Sequence, residues 1–153
     1  MSERVWNCAL TGHRELPENF DENALYDKLE EFLKKGCDTF FCGMAQGFDL
    51  RALKCLVDLK KKYSFHIEAC IPYLGQERGY PAEEKKLYHE LLQWCDIKTV
   101  IFENFQRGCF LARNRYMVDC SDVVLAYCHK STGGSAYTAN YALNNRKPVI
   151  FIN

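Results

Sequence analysis

The chain has no charge excess: 20 basic residues balance 20 acidic ones over 153 positions. Proteins held to nucleic acid by phosphate neutralisation usually carry a basic surplus, so nucleic acid is not the expected partner. Long like-charge runs are missing too. Lys60-Lys61-Lys62 and Lys85-Lys86 stand among acids at helical spacing, as on solvated helix faces. No apolar run approaches the roughly 20 residues of a membrane span, which excludes a membrane partner of that kind. There are nine cysteines but no Cys-x-x-Cys pair, which argues against a metal site or a redox motif. The odd count and the lack of a signal-peptide pattern point to reduced thiols and a cytoplasmic location. Cys8, Cys42, Cys70 and Cys128 fall in apolar strand-like runs, where a thiol acts as a small buried hydrophobe. No linker, repeat or low-complexity segment interrupts residues 1–153, which are expected to form a single domain.

What remains is a globular composition, 48% hydrophobic and 14% aromatic, patterned as alternating strands and helices. Residues 5–10 read as a first strand, ended by Thr11-Gly12. Asn19 or Asp21 caps a helix with apolar Leu25, Leu29, Phe32 and Leu33, stopped by Gly36. Strands follow at 39–42, 65–71 (ended by Pro72), 99–102, 123–127 and 149–152. Helices are expected from about 46 to 62, around Leu87 to Trp94, from about 110 to 120, and over 135–145. Strands apolar on both sides, joined by helices, predict an α/β fold. The expected form is a single Rossmann-like doubly wound parallel sheet of about six strands, with helices on both faces. Ligands of such sheets bind beyond the carboxyl ends of the strands, which directs attention to the loops there.

The most informative loop follows the fifth strand. Gly133 and Gly134 permit close backbone approach, Ser131, Thr132, Ser135 and Thr138 offer hydroxyls, and a helix begins with free N–H groups. The turn is a phosphate cradle or an ordinary tight connection. After the first strand, Thr11-Gly12-His13-Arg14 suits an anion; alternatively Arg14 pairs with Glu15, Glu18 or Asp21. After the second, Gly43, Met44, Ala45 and Gly47 lead to Asp49, which serves a ligand or the positive helix end. The spacing is neither that of a Walker loop nor Gly-x-Gly-x-x-Gly. Pro72, Tyr73, Gln76 and Glu77 follow the third strand, with Tyr80 beyond. Tyr73 or Tyr80 stacks on a base or packs against Trp94. Arg113 and Asn114 lie early in the helix before the fifth strand, where Arg113 looks towards the Gly133-Gly134 turn or into solvent.

Taken together, Thr-Gly-His-Arg, Gly-Met-Ala-Gln-Gly-Phe-Asp, Ile-Pro-Tyr-Leu-Gly-Gln-Glu, Ala-Arg-Asn-Arg-Tyr-Met-Val-Asp and the Gly-Gly turn resemble the SLOG superfamily, nearest its small YpsA-like branch. The resemblance spans nearly the whole chain. It implies a Rossmann-like sandwich that binds nucleotides or nucleotide-derived ligands, often as a dimer or larger homo-oligomer. Relatives of the LOG type hydrolyse the N-glycosidic bond of nucleoside monophosphates, using an arginine and a glutamate in Pro-Gly-Gly-x-Gly-Thr-x-x-Glu. Arg113 matches that arginine, with Met117 and Asp122 in register, and Gly133 and Gly134 match the glycine pair. Thr132 replaces the proline, Ala136-Tyr137 replace Gly-Thr, and Asn140 replaces the glutamate.

An amide cannot take a proton, and loss of such an acid costs on the order of two to four powers of ten in rate. Arg113, Glu77 and Asp49 are the remaining candidates for a catalytic role. Binding or sensing of a nucleotide-like small ligand, with no cofactor required, is therefore expected first. A LOG-type phosphoribohydrolase is the alternative, and single-stranded nucleic-acid binding, as in DprA-like relatives, comes third.

Overall fold

The computed structural model describes residues 5–153 and contains one six-stranded, all-parallel sheet. In chain order its elements are β1 (Trp6–Gly12), α1 (Glu22–Lys34), β2 (Cys37–Cys42), α2 (Phe48–Leu59), β3 (His66–Tyr73), α3 (Ala82–Leu92), β4 (Ile97–Phe102), α4 (Cys109–Asp119), β5 (Val123–Tyr127), α5 (Gly134–Asn144) and β6 (Val149–Phe151), with a 3₁₀ turn at Gln76–Gly79. The strand order is β4-β3-β2-β1-β5-β6. Winding runs outward from β1 to β4, then returns to place β5 on the other side of β1. The switch point thus lies between β1 and β5, whose paired ends are Thr11 with Ala126 and Gly12 with Tyr127.

The two faces are built by residue parity along the strands. Cys8 and Leu10, Phe40 and Cys42, Ile67 and Ala69, and Val123 and Leu125 pack with α1, α2 and α3, through Leu25, Leu29, Leu53, Leu56 and Leu91. Their neighbours Ala9, Phe41, Cys70, Val124 and Ala126 face α4 and α5, through Met117, Val118 and Ala142. That second layer is rich in small residues, with Ala9, Cys70, Ala126 and Ala142 all buried. Asp21 caps α1 by accepting the Ala24 N–H at 2.9 Å.

Several elements depart from the sequence pattern. β1 continues through Gly12, because β5 supplies partners to its end. β3 runs through Pro72 to Tyr73; β2 has already ended opposite Ala69, so the missing N–H deprives no neighbour. α2 starts at Phe48, because Met44 (φ 61°) and Gly47 (φ 76°) hold the preceding loop out of helix. β4 is an edge strand, with Ile97 and Val100 exposed, so it is not covered on both faces. Cys128 lies beyond β5 and is only half-buried, unlike Cys8, Cys42 and Cys70. Among the described residues no helix is long and apolar enough to cross a membrane.

Candidate functional site

A cleft of about 520 Å³ opens at the switch point, within the roughly 300–1,000 Å³ usual for small-molecule sites. Four segments line it: residues 10–15 at the end of β1 and beyond, Ala45 and Asp49 after β2, Phe110, Leu111, Arg113 and Asn114 from α4, and Lys130 with residues 132–135 after β5. The pairing of β1 with β5 brings the first and last together although they lie more than 110 residues apart. Arg14, Arg113 and Lys130 face Glu15 and Asp49, so the cleft holds more cationic than anionic side chains.

The glycines of the loops after β1, β2 and β5 are of two kinds, while Gly79 and Gly108, away from the cleft, are open to the surface. A Cβ on Gly12 would stand 2.3 Å from the Phe48 ring, and one on Gly43 would stand 2.9 Å from the Arg113 guanidinium. At Gly47 it would meet the Arg14 carbonyl at 2.2 Å. These three glycines make room for the protein's own packing: Phe48 N–H donates to the His13 carbonyl at 3.0 Å and fastens α2 to the β1 loop. Gly133 (φ 100°) and Gly134 differ, because nothing lies within 4 Å of where their Cβ atoms would be. Gly133 caps α5 with no side-chain hydrogen bond, leaving the first-turn N–H groups of that helix without a side-chain cap beside open space.

Arg113 is neither solvated nor turned towards the Gly133-Gly134 turn as its first partner. It is 4% exposed, and its Nη1 donates to the Gly43 carbonyl and, at 3.4 Å, to that of Cys70. Its Nε donates to Asn114 Oδ1 at 2.7 Å. The Phe110 ring lies under both arginines, 5.2 Å from the Arg14 guanidinium and 5.9 Å from that of Arg113. Arg14 is exposed and makes no ion pair with Glu15, Glu18 or Asp21 among the described residues.

Asp49 is 5% exposed, and its Oδ2 accepts the Ala45 N–H at 3.1 Å. Burial pushes its carboxyl up to about 6, while Arg113, the Ala45 N–H and Arg14 pull the other way. His13 is half-buried, and burial, Lys130 and His129 lower its pKa. Its ring stands edge-on to Tyr127 at 5.7 Å.

Other candidates lie outside the cleft wall. The Met44 side chain is wholly buried, and its carbonyl accepts the Tyr80 hydroxyl at 2.8 Å. Gln76 is buried between the Gly43 carbonyl and the Tyr88 hydroxyl, and Pro72 is buried in β3. Glu77 stands 3.2 Å from His89 instead of facing the cleft. The Thr138 hydroxyl is spent on the Gly134 carbonyl at 2.8 Å. Asn140 is exposed on α5 and does not line the cleft. Trp94 is exposed and packs with neither tyrosine: Tyr73 meets Phe105 and Phe110, and Tyr80 meets Tyr88.

Leu10, Glu15, Phe110, Leu111 and Lys130 complete the wall and were not legible as site residues. Lys130, a cation three residues before a Gly-Gly turn, carried a usable signal. Phe110 carried none, since an aromatic at a helix start reads as core. Among the described residues no group of three or more His, Cys, Asp or Glu is placed to hold a metal.

The chain is similar to known proteins over most of its length. The profile of the YspA SLOG family matches residues 19–150. The chain belongs to the YspA SLOG family. Within the curated relatives, the SPbeta prophage-derived protein YoqJ of Bacillus subtilis is 31% identical, over 77% of this chain and 80% of YoqJ. A UPF0398 protein of Oceanobacillus iheyensis is 24% identical over 76% of this chain, which spans only 64% of that protein's length.

Among solved structures, DNA processing protein A of Helicobacter pylori, described for its single-stranded DNA binding mode, superposes with a TM-score of 0.73 at 26% identity. The match covers 97% of this chain and 65% of that one. DprA of Streptococcus pneumoniae gives a TM-score of 0.71 at 20% identity, over 97% of this chain and 50% of its own, a likeness of fold alone.

Proposed function

We propose that the switch-point cleft binds a nucleotide or nucleotide-derived small ligand. Its phosphate sits against the first turn of α5, beside Gly133, Gly134 and Lys130, with Arg14 and Arg113 across the cleft. The observation that carries this reading is the cleft itself, in which the uncapped start of α5 at Gly133 and Gly134 stands with Arg14, Arg113 and Lys130. Gly12, Gly43 and Gly47 are filled by the protein's own atoms, whereas Gly133 and Gly134 leave space that no protein atom uses. Uncapped helical N–H groups beside cationic side chains favour an anion in that space. A thermal-shift screen of nucleoside mono-, di- and triphosphates tests it. A rise in melting temperature with at least one of them is expected, and no response to any would overturn the proposal.

A second reading, hydrolysis of a nucleotide N-glycosidic bond, is favoured by Asp49. This carboxyl lines the cleft, and burial pushes it up to about 6, which suits proton transfer at neutral pH and offers the acid that Asn140 cannot. Release of free base and ribose 5-phosphate from a nucleoside monophosphate, abolished by Asp49→Asn, would support it. Absence of free base after prolonged incubation would leave binding alone.

A further inference from the structure

An aromatic cluster borders the cleft on the side of its arginines. Phe110 carries Arg14 and Arg113 on the cleft side, and an aromatic cluster continues from it to the surface. Tyr73, at the end of β3, stands edge-on to Phe110 at 6.0 Å and to Phe105 at 5.3 Å. Phe105 lies in the loop of residues 103–108 after β4, 6.3 Å from Phe110, and is 62% exposed. The neighbouring Leu74 is 54% exposed. One exposed ring is unremarkable, but Phe105 is joined through Tyr73 and Phe110 to the wall of a cleft, where exposed apolar surface serves ligand binding.

Charge decides what kind of partner fits. The apolar rim adjoins a cleft whose cations are Arg14, Arg113 and Lys130. The complementary ligand is therefore anionic at one end and flat and aromatic at the other. A free phosphate or sugar phosphate would leave the rings uncovered, and a purely apolar ligand would leave the cations unmatched. Stacking of a base on an aromatic ring is tolerant of base identity, since every base presents a π-face.

We propose that Phe105 and Tyr73 form a base-stacking subsite for the nucleotide whose phosphate occupies the Gly133-Gly134 turn. The proposal rests on the nucleotide-binding reading and adds where the base lies. It also places the rim loop after β4, which no sequence motif had marked, within the binding site.

Calorimetric titration of the full chain with AMP, GMP, CMP and UMP, each against ribose 5-phosphate, tests the subsite. The wild type should bind the best of the four at least about ten-fold more tightly than ribose 5-phosphate. Phe105→Ala should erase that advantage and leave both the ribose 5-phosphate affinity and the melting temperature unchanged. Phe105→Trp should preserve the advantage. A Phe105→Ala protein that keeps the wild-type ratio overturns the subsite. If the wild type binds ribose 5-phosphate as tightly as every nucleotide, the phosphate cleft stands and the subsite falls. If it binds none of the five, the subsite falls, and the di- and triphosphates of the thermal-shift screen decide the nucleotide reading. Tighter, Phe105-dependent binding of an oligothymidylate than of any mononucleotide would overturn the single-nucleotide ligand in favour of single-stranded nucleic acid.

Discussion

The Nε2 atom of His13 accepts the backbone N–H of His129 at 2.9 Å, joining the loop after β1 to the loop after β5. Only an imidazole unprotonated at Nε2 can make this bond. Burial first, then Lys130 and the neighbouring His129, lower the His13 pKa and favour that state. A lowered folded-state pKa means that the stabilisation is present above the ordinary imidazole range and fades as pH falls through the lowered value. His13 is therefore expected to titrate below a free imidazole by NMR, with the His129 amide shift moving at the same midpoint. Independent midpoints would show that the two loops are not coupled through this bond.

Asp49 gives the opposite pH dependence. Its carboxyl is raised from 3.8 to about 6 by burial, so the folded state favours the protonated form. That contribution is present below the unfolded pKa and is lost as pH rises through about 6. Asp49→Asn keeps an acceptor for Ala45 and removes the buried charge. It should match the wild type near pH 4 and exceed it at pH 8, by at most about 3 kcal/mol for a shift of this size. Equal melting temperatures at both pH values would show that the carboxylate is better compensated than its burial implies.

The two kinds of glycine separate folding from binding. Gly12→Ala and Gly47→Ala force a Cβ into Phe48 and into the Arg14 carbonyl, the second also at positive φ. Each should destabilise by roughly 1–3 kcal/mol or more in chemical denaturation. Gly134→Ala meets no atom and starts a helix, so its stability should stay within about 0.5 kcal/mol of wild type. Its nucleotide affinity should drop, because the new methyl group takes the ligand's space. Retained affinity in Gly134→Ala would move the phosphate away from this turn.

The cations separate in the same way. Arg113→Ala removes the guanidinium from the Gly43 and Cys70 carbonyls, where Gln76 still serves Gly43. A cost of about 1–3 kcal/mol in stability is expected together with loss of ligand binding. Lys130 is exposed, so Lys130→Ala should leave the melting temperature unchanged and weaken phosphate binding alone. If Arg113→Ala unfolds less readily than this, or binds ligand normally, Arg113 is not the bridge between β2, β3 and the cleft described here.

Much of this was legible in the chain. Leu25, Leu29, Phe32 and Leu33 announced α1 by their spacing, and Val123 to Tyr127 announced β5 by an unbroken apolar run. Each signal is local, set by the turn angle of a helix or the pleat of a strand. The carboxyl-edge loops could be picked out for the same reason. The roles of the residues within them could not: Arg113 read as a surface arginine or a phosphate ligand, and it is a buried support of the β2 and β3 ends that also faces the cleft.

By itself, then, the sequence determined the alternation of elements, the parallel α/β sheet and the end of it at which the cleft opens, because short-range periodicity and glycine placement encode those. Only the tertiary structure decided which glycines are vacant, which carboxylate lies in the cleft and which aromatic rings stand beside it. Those properties depend on atoms that arrive from far along the chain. Gly43 is filled by Arg113, and Gly12 by Phe48, while nothing comes to fill Gly133 and Gly134.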